Sequence, residues 1–420
     1  MAKALGGLGN QGGAGPAGGG GSPPGTGSAT GTGSAANTGS PAGTGSAVGA
    51  SPTSGTGTVP QVEFSCNMPK AGSPDNPTLV TADRSFLRKF FSDKLPLPDG
   101  GDVEIWGFED PALGRVWPSR VIRATEGEVV HVEIQPAKRV HTIHTHGIEP
   151  EPINDGVGHT SFEITGHFTY QWRATTPGSY FYHCHVNTTL HVQMGMFGAL
   201  VIDPKRDASL RPQEKRAFAG GPVYEVEAVW PFIAIDPRWH TLNHAAGLCS
   251  TQDAAQARLH DFRPRYIGIN GVLQPFSDTA FITSPDVAIT AKSGQPILIR
   301  TLNATYVPQI VVFHPNSTGG ELRPQVIASD GRPYRDQAGQ PAPIEVASQN
   351  MMAGNPHAGL KAFIISSAER YDVLLNTAQD PAPPGVYPVE IEFRKWQHPH
   401  GPITPDFAPF YKARTTITIT

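Results

Sequence analysis

Two short segments hold the residues whose types and spacing suit chemistry. The first is His141-Thr142-Ile143-His144-Thr145-His146-Gly147; the second is His183-Cys184-His185, followed by His191 and Met196. Residues two apart in a strand point to the same face. His144 and His146 therefore converge on one region, and so do His183 and His185. His141 and Cys184 fall on other sides of their own segments, where they can meet each other. One sulfur, two imidazoles and one thioether make a soft trigonal set with a weak axial ligand, the donor set of a blue-copper electron-transfer centre. The metal must hold Cys184 as thiolate, so binding depends on pH and releases a proton. A lone buried histidine is usually a hydrogen-bonded core residue, but that reading must here hold for six histidines, a cysteine and a methionine at interlocking spacings. A structural zinc site closes on four ligands and leaves several of these histidines without a role.

The elements that must position these residues read as strands. DVEIWGF (102–108), EVVHVEI (128–134), FTYQWRA (168–174), GSYFYH (178–183) and FGALVID (197–203) are short β-branched and aromatic runs broken by turn residues. A charged, proline-containing stretch from Asp203 to Pro222 reads as a linker. Strand patterns resume at YEVEAVW (224–230), VAITA (287–291), PILIRTL (296–302), FIISS (363–367), YDVLLN (371–376) and TTITIT (415–420). No amphipathic helix longer than about two turns is visible, so the class is all-β, with two β-sandwich domains of similar build. The expected layout is a disordered spacer over 1–60, a metal-binding domain over 61–208 and a second domain over 222–420. A weak internal echo links 126–147 with 292–315, and GSYFYHCH (178–185) with GVYPVEIE (385–392). The second copy has lost most of the histidines.

Composition limits the remaining possibilities. Residues 1–60 hold 20 of the 47 glycines, with Lys3 as their one charged side chain and no aromatic residue. Such a segment has too little apolar surface to offset its ordering entropy, and its GTGSAT-like repeats behave as a flexible spacer. A net charge of −4 argues against a nucleic-acid binder. No apolar run approaches the 18 or so residues of a membrane-crossing helix, and no secretory signal is visible at the start. Of the three cysteines, Cys66 and Cys249 either form one bridge or stay as two unpaired buried thiols.

HTIHTHG followed by GSYFYHCHVNTTLHVQMGMFGALVIDP resembles the copper-binding signatures of the multicopper oxidases, the family of laccases and two-domain blue oxidases. The resemblance covers most of residues 100–205. LIRTLNATY, VIASDGRPY and AERYDVLL, in the second half, are similar to the copper-free middle domain of laccase-type proteins. The resemblance implies two cupredoxin-like Greek-key sandwiches. It implies that His141, Cys184 and His191 are the equatorial ligands of a type 1 copper, with Met196 as axial ligand; Met194, at the wrong spacing, reads as core packing. It also implies that His144 binds a type 2 copper, and that His146, His183 and His185 bind a type 3 pair. Electrons then pass through the tripeptide centred on Cys184. Asp155, in Ile153-Asn154-Asp155-Gly156, resembles a family acidic residue that handles protons near the cluster, and reads equally as a turn-forming Asp before Gly.

The sequence departs from the family pattern twice. Six residues separate Cys184 from His191, more than in laccases and fewer than in copper nitrite reductases. The resemblance also implies a trinuclear cluster of eight histidines, of which the first domain supplies four. His314, His398 and His400 are the candidates in the second domain, and His398-Pro399-His400 reads as an exposed loop. The missing four would come from a second copy in a symmetric homo-oligomer or from a neighbour's second domain; otherwise the cluster is incomplete. The expected function is an oxidoreductase passing electrons from a small reducing substrate or redox protein to dioxygen. A blue-copper carrier without oxygen chemistry and a copper nitrite reductase are the competing readings, and His185 argues against the latter. Oxidising chemistry favours a periplasmic, secreted or cell-surface location.

Overall fold

Strand Val129–Gln135 illustrates how this sequence makes its sheets. Val130, Val132 and Ile134 are fully buried while His131, Glu133 and Gln135 alternate outward, the period of a pleated strand. The computed structural model describes residues 71–72, 79–136, 139–158, 161–247, 259–275, 279–349, 357–394 and 409–420. The N-terminal repeat, Cys66, Cys249, His398 and His400 lie outside the described residues.

Two four-stranded sheets form the first sandwich. One has the order Asp102–Glu109, Arg84–Pro96, Val129–Gln135, Phe168–Arg173; the other has Ser119–Thr125, Phe197–Asp203, Gly178–His183, His144–His146. Their inner faces share a core that includes Phe108, Ile122, Val132, Phe168, Tyr170, Tyr182 and Leu200. The second sandwich packs a sheet containing Val226–Ile235, Ile297–Asn303 and Arg370–Leu375 against a five-stranded sheet containing Gly385–Arg394 and Pro409–Ile419. Trp230, Val311, Tyr387 and Ile391 lie in the core between them.

All six residues of Gly178–His183 are buried, because this strand is covered on both faces. Tyr180 and Tyr182 point into their own core, while Phe181 packs with Ile233 and Leu302 of the second sandwich. Ser179 hydrogen-bonds the Asp372 carboxylate, which is 3.1 Å from Arg300 Nη1. Arg300 Nε reaches Glu227 at 2.7 Å, and Arg123 of the first sandwich reaches the same carboxylate at 2.7 Å. This chain of charges fixes one sandwich on the other, since a buried ion is tolerated only with its partners in place.

The stretch expected to be a linker is more ordered than its composition suggested. Lys215–Arg216 pairs with Val223–Tyr224, and Phe218 is buried beside Leu298 and Leu374. The single α-helix among the described residues, Thr188–Met194, is two turns long. It belongs to the site.

Candidate metal centre

The edge of the Gly178–His183 strand sets the geometry. Its register places His183 opposite His144 and Phe181 opposite His146. Cys184 follows and turns inward, with its fully buried Sγ 3.3 Å from His191 Nδ1 and 3.6 Å from His141 Nδ1. His141 is held by a reciprocal backbone pair with Ile164, 3.1 Å in each direction, and Phe90 stacks on its ring at 4.6 Å.

His191 stands on the helix Thr188–Met194, and the helix closure explains its distance in sequence from Met196. Gly195 takes φ +108, its N–H donates to Val192 O at 2.9 Å, and Met196 N–H donates to His191 O at 3.0 Å. That is a Schellman closure. A side chain at Gly195 would meet the Trp117 indole, 1.7 Å from where a Cβ would lie. Cys184 N–H then donates to Met196 O at 3.0 Å, so backbone bonds tie Cys184, His191 and Met196 together. The Met196 side chain is buried in the same core as Cys184, as is that of Met194.

Hydrogen bonds to backbone carbonyls select the tautomers. His191 Nε2 lies 3.1 Å from His244 O, so it carries the proton and leaves the Nδ1 lone pair facing sulfur. Burial pushes the Cys184 thiol up to about 12. Burial, with the neighbouring His244, drops His191 to about 3, and His141 is driven well below the usual range for the same reasons. The unliganded pocket is therefore neutral at physiological pH.

The flanking histidines gather on the opposite side. Ring nitrogens of His144, His146 and His183 lie within 4.8 Å of one another. His144 Nδ1 donates to Asp155 O at 2.7 Å, and His183 Nδ1 to Cys184 O at 2.9 Å, so both present Nε2 to the cluster. His146 Nδ1 is 3.3 Å from His183 Nε2, and His146 is lowered to about 4 by burial and then by the Arg370 charge. The His185 ring lies 5.4 Å from that of His144 and 5.8 Å from that of His183, at spacings like those between the three triad rings. Asp155 Oδ1 is 3.2 Å from His144 Nδ1. Gly156, at φ +71, lets this loop pass 2.0 Å from Ile143 O, measured from the position a Cβ would take.

Residues 98–207, which carry His141, His144, His146, His183, Cys184, His185, His191 and Met196, match the family model described as multicopper oxidase. This segment is similar to a multicopper oxidase domain. Curated relatives include the copper-containing nitrite reductase of Neisseria meningitidis, 27% identical over 221 residues, which are 49% of this chain and 53% of that protein. L-ascorbate oxidase of Cucumis sativus is 32% identical over 102 residues, 22% of this chain and 17% of that one. The chain spans about half the length of the nitrite reductases it matches. Blue copper oxidase from Nitrosomonas europaea shares the fold at TM-score 0.53 and 24% identity, over 80% of this chain and 86% of that one. Multicopper oxidase mgLAC does so at TM-score 0.52 and 20% identity, with the same coverage. The architecture is accordingly all-β and cupredoxin-like, as the sequence led us to expect.

Copper is the metal of the multicopper oxidases, and the donors gathered in residues 98–207 suit it. A buried sulfur between two imidazoles whose lone pairs face it is a soft set, and the far-side hydrogen bond of His191 orients that ligand. His141 Nε2 is buried without a hydrogen-bond partner, which leaves Nδ1, beside the sulfur, as the working atom of that ring.

The second sandwich has no matching cluster among the described residues. The internal echo sets Glu390 where the first copy has His183, and Glu392 where it has His185. Val312 lies opposite Glu390, as His144 lies opposite His183. His314, the remaining equivalent, is 3.5 Å from Glu390. Lys412 reaches both glutamates, at 2.9 and 2.8 Å, Arg414 reaches Glu390 at 2.8 Å, and Arg394 and His357 pair with Glu392. The carboxylates are committed to cations.

Sequence reasoning missed His244, Trp106 and Asn187. The His244 ring lies 4.3 Å from His191 and 4.9 Å from His141, and the edge of Trp106 meets His191 at 5.3 Å. The one available signal was His240 and His244 standing four apart in a stretch without strand pattern.

Proposed function

We propose that this protein is a laccase-like multicopper oxidase that takes electrons from a reducing substrate and delivers them to dioxygen, forming water. The observation that carries the reading is the position of Cys184: its sulfur contacts His141 and His191, while its immediate neighbours His183 and His185 belong to a second group of imidazoles. In this reading residues 61–208 are the copper domain and 222–420 a copper-free one. His141, Cys184, His191 and Met196 hold a type 1 copper; His144 holds a type 2 copper, and His146, His183 and His185 hold a type 3 pair. Bound copper supplies one-electron chemistry at the sulfur-ligated site and oxygen reduction at the histidine cluster. The protein's own contribution is orientation: the carbonyls of Asp155, Cys184 and His244 fix which imidazole nitrogen faces each centre. Asp155, whose Oδ1 is 3.2 Å from His144 Nδ1 and which is partly exposed, hands protons inward.

Four histidines make half of the family's cluster, and the ion-paired carboxylates of the second sandwich do not supply the rest. A second copy of this chain, presenting its own His144, His146, His183 and His185, completes the site in a symmetric dimer. Export to an oxidising compartment fits this chemistry.

The copper nitrite reductase reading is favoured by the 27% identity to the Neisseria meningitidis enzyme across 221 residues. It leaves His185, beside His144 and His183, without a part in a single type 2 site. Copper reconstitution of the full chain, with metal analysis, absorption spectrum, solution mass and assays for both acceptors, separates the readings. We expect a dimer with one sulfur-ligated copper on each chain and one shared three-copper cluster, about five coppers per dimer, with intense blue colour and dioxygen uptake. Colourless material rejects the type 1 assignment, and nitrite turnover without dioxygen uptake selects the alternative. Cys184→Ser is expected to abolish the blue band while leaving the far-ultraviolet circular dichroism unchanged.

A further inference from the structure

His191 has no open edge. Its residue is fully buried, and its Nε2–H is spent on His244 O. That carbonyl belongs to a segment of the second half, Trp239–Gly247, which lies across the helix carrying His191. Several bonds hold it there. Asn187 Nδ2 donates to His244 O at 3.2 Å and to Ala246 O at 2.8 Å. His244 Nε2–H donates to Val140 O at 2.9 Å, next to His141. Gln193, on the same helix, meets His240 Nε2 at 3.2 Å, and the far nitrogen of His240 is 2.5 Å from Glu104 O. Trp239 is buried against Phe262 and Tyr306, and the Tyr306 hydroxyl donates to Thr189 O at 2.6 Å. Trp106 closes the remaining side, edge-on to His191 and 6.0 Å from the His244 ring.

A phenol or hydroquinone gives up its electron best when its hydroxyl can hydrogen-bond an acceptor and shed a proton. Here the imidazole nitrogen it would approach is already a donor, facing a backbone carbonyl behind a packed ring. An electron donor that loses no proton and breaks no bond needs no such contact; it must only come near the outer face of the lid.

We infer that the segment Trp239–Gly247 is a lid on His191 that restricts the reducing substrate to metal-centred one-electron donors and excludes phenolic donors that must touch the imidazole. This rests on the type 1 assignment above. The donor would lose one electron to a copper held by His141, Cys184 and His191, with no proton or bond changing hands at the lid.

Two measurements test the inference. In the metal-free full chain, diethyl pyrocarbonate labelling followed by peptide mass analysis compares His191 with the exposed His167 and His260. His191 is expected to label at least about tenfold more slowly, and Asn187→Ala or His244→Gly to bring it at least about tenfold closer to the exposed rate, each tenfold being about 1.4 kcal/mol of barrier. In the copper-loaded protein, stopped-flow bleaching of the blue band compares hexaammineruthenium(II) with hydroquinone at matched driving force. We expect the complex to bleach wild type at least about tenfold faster, and the same variants to erase most of that difference by accelerating hydroquinone. Equal bleaching rates in wild type, rapid labelling of wild-type His191, or variants that leave His191 protected overturn the lid. Absence of a blue band instead rejects the type 1 assignment, while labelling still reports whether the segment covers His191.

Discussion

Cys184 and Met196 are joined through the backbone: the Cys184 amide donates to the Met196 carbonyl at 3.0 Å, and the Met196 amide donates to His191 O at the same distance. The frame of the sulfur site is thus independent of the Met196 side chain. Met196→Leu, close in volume and still apolar, is expected to cost less than about 1.5 kcal/mol of stability. The blue band should survive, and the reduction potential should rise, because a thioether donates electron density to the oxidised ion. Potentiometric titration checks this; an unchanged potential would remove Met196 from the ligand set.

His144 is grouped with His146 and His183, away from the sulfur. His144→Ala should keep the blue colour while dioxygen uptake falls at least about a hundredfold. Asp155→Asn preserves the carbonyl that holds His144, so copper content should be unaffected while uptake drops about tenfold or more through loss of a proton carrier. Uptake equal to wild type in Asp155→Asn would leave Asp155 as a turn residue alone.

Gly156 is a structural requirement of the same loop. A methyl group there would enter the Ile143 carbonyl at 2.0 Å, at a backbone angle that side chains avoid. Gly156→Ala is expected to lower stability by about 1–3 kcal/mol, read as a shift of the denaturant midpoint. It should also weaken copper retention at the histidine cluster before the blue site is touched.

Acid should attack the junction between the sandwiches. Burial opposes ionisation of Glu227, yet hydrogen bonds from Arg123 and the Arg300 charge hold its carboxyl at about 2, against 4.5 unperturbed. A carboxylate depressed in this way stabilises the fold at pH values above 4.5 and loses that contribution as pH falls towards 2. Wild type should therefore lose stability across this window, and Glu227→Gln, less stable at pH 7, should show a shallower acid dependence. Parallel pH profiles of the unfolding midpoint would contradict this role for Glu227.

The site was legible because its residues are chemically rare and closely spaced. Sulfur flanked by two histidines, with HxxHxHG upstream, encodes both centres within short segments, and strand periodicity assigns their faces. The lid was hidden, since His191 and His244 meet across 53 positions of chain with no pattern linking them. Strand Arg84–Pro96 went unread because charged residues break its alternation; one of them, Arg88, is buried, with Nε 3.2 Å from the Tyr182 hydroxyl and Nη1 3.2 Å from Asp110. Burying an arginine this way depends on partners that sequence alone does not bring together.

The glutamates that stand in the second sandwich where the first has His183 and His185 make a metal site there hard to build. Each is balanced by cations packed around it, so placing a single imidazole at Glu390 would remove the carboxylate that Arg414 meets and leave Lys412 with Glu392 alone. Creating a metal site there would require several coordinated replacements at once. If the proposed cluster needs eight imidazoles, these ion pairs are what leaves a companion molecule as the source of the other four.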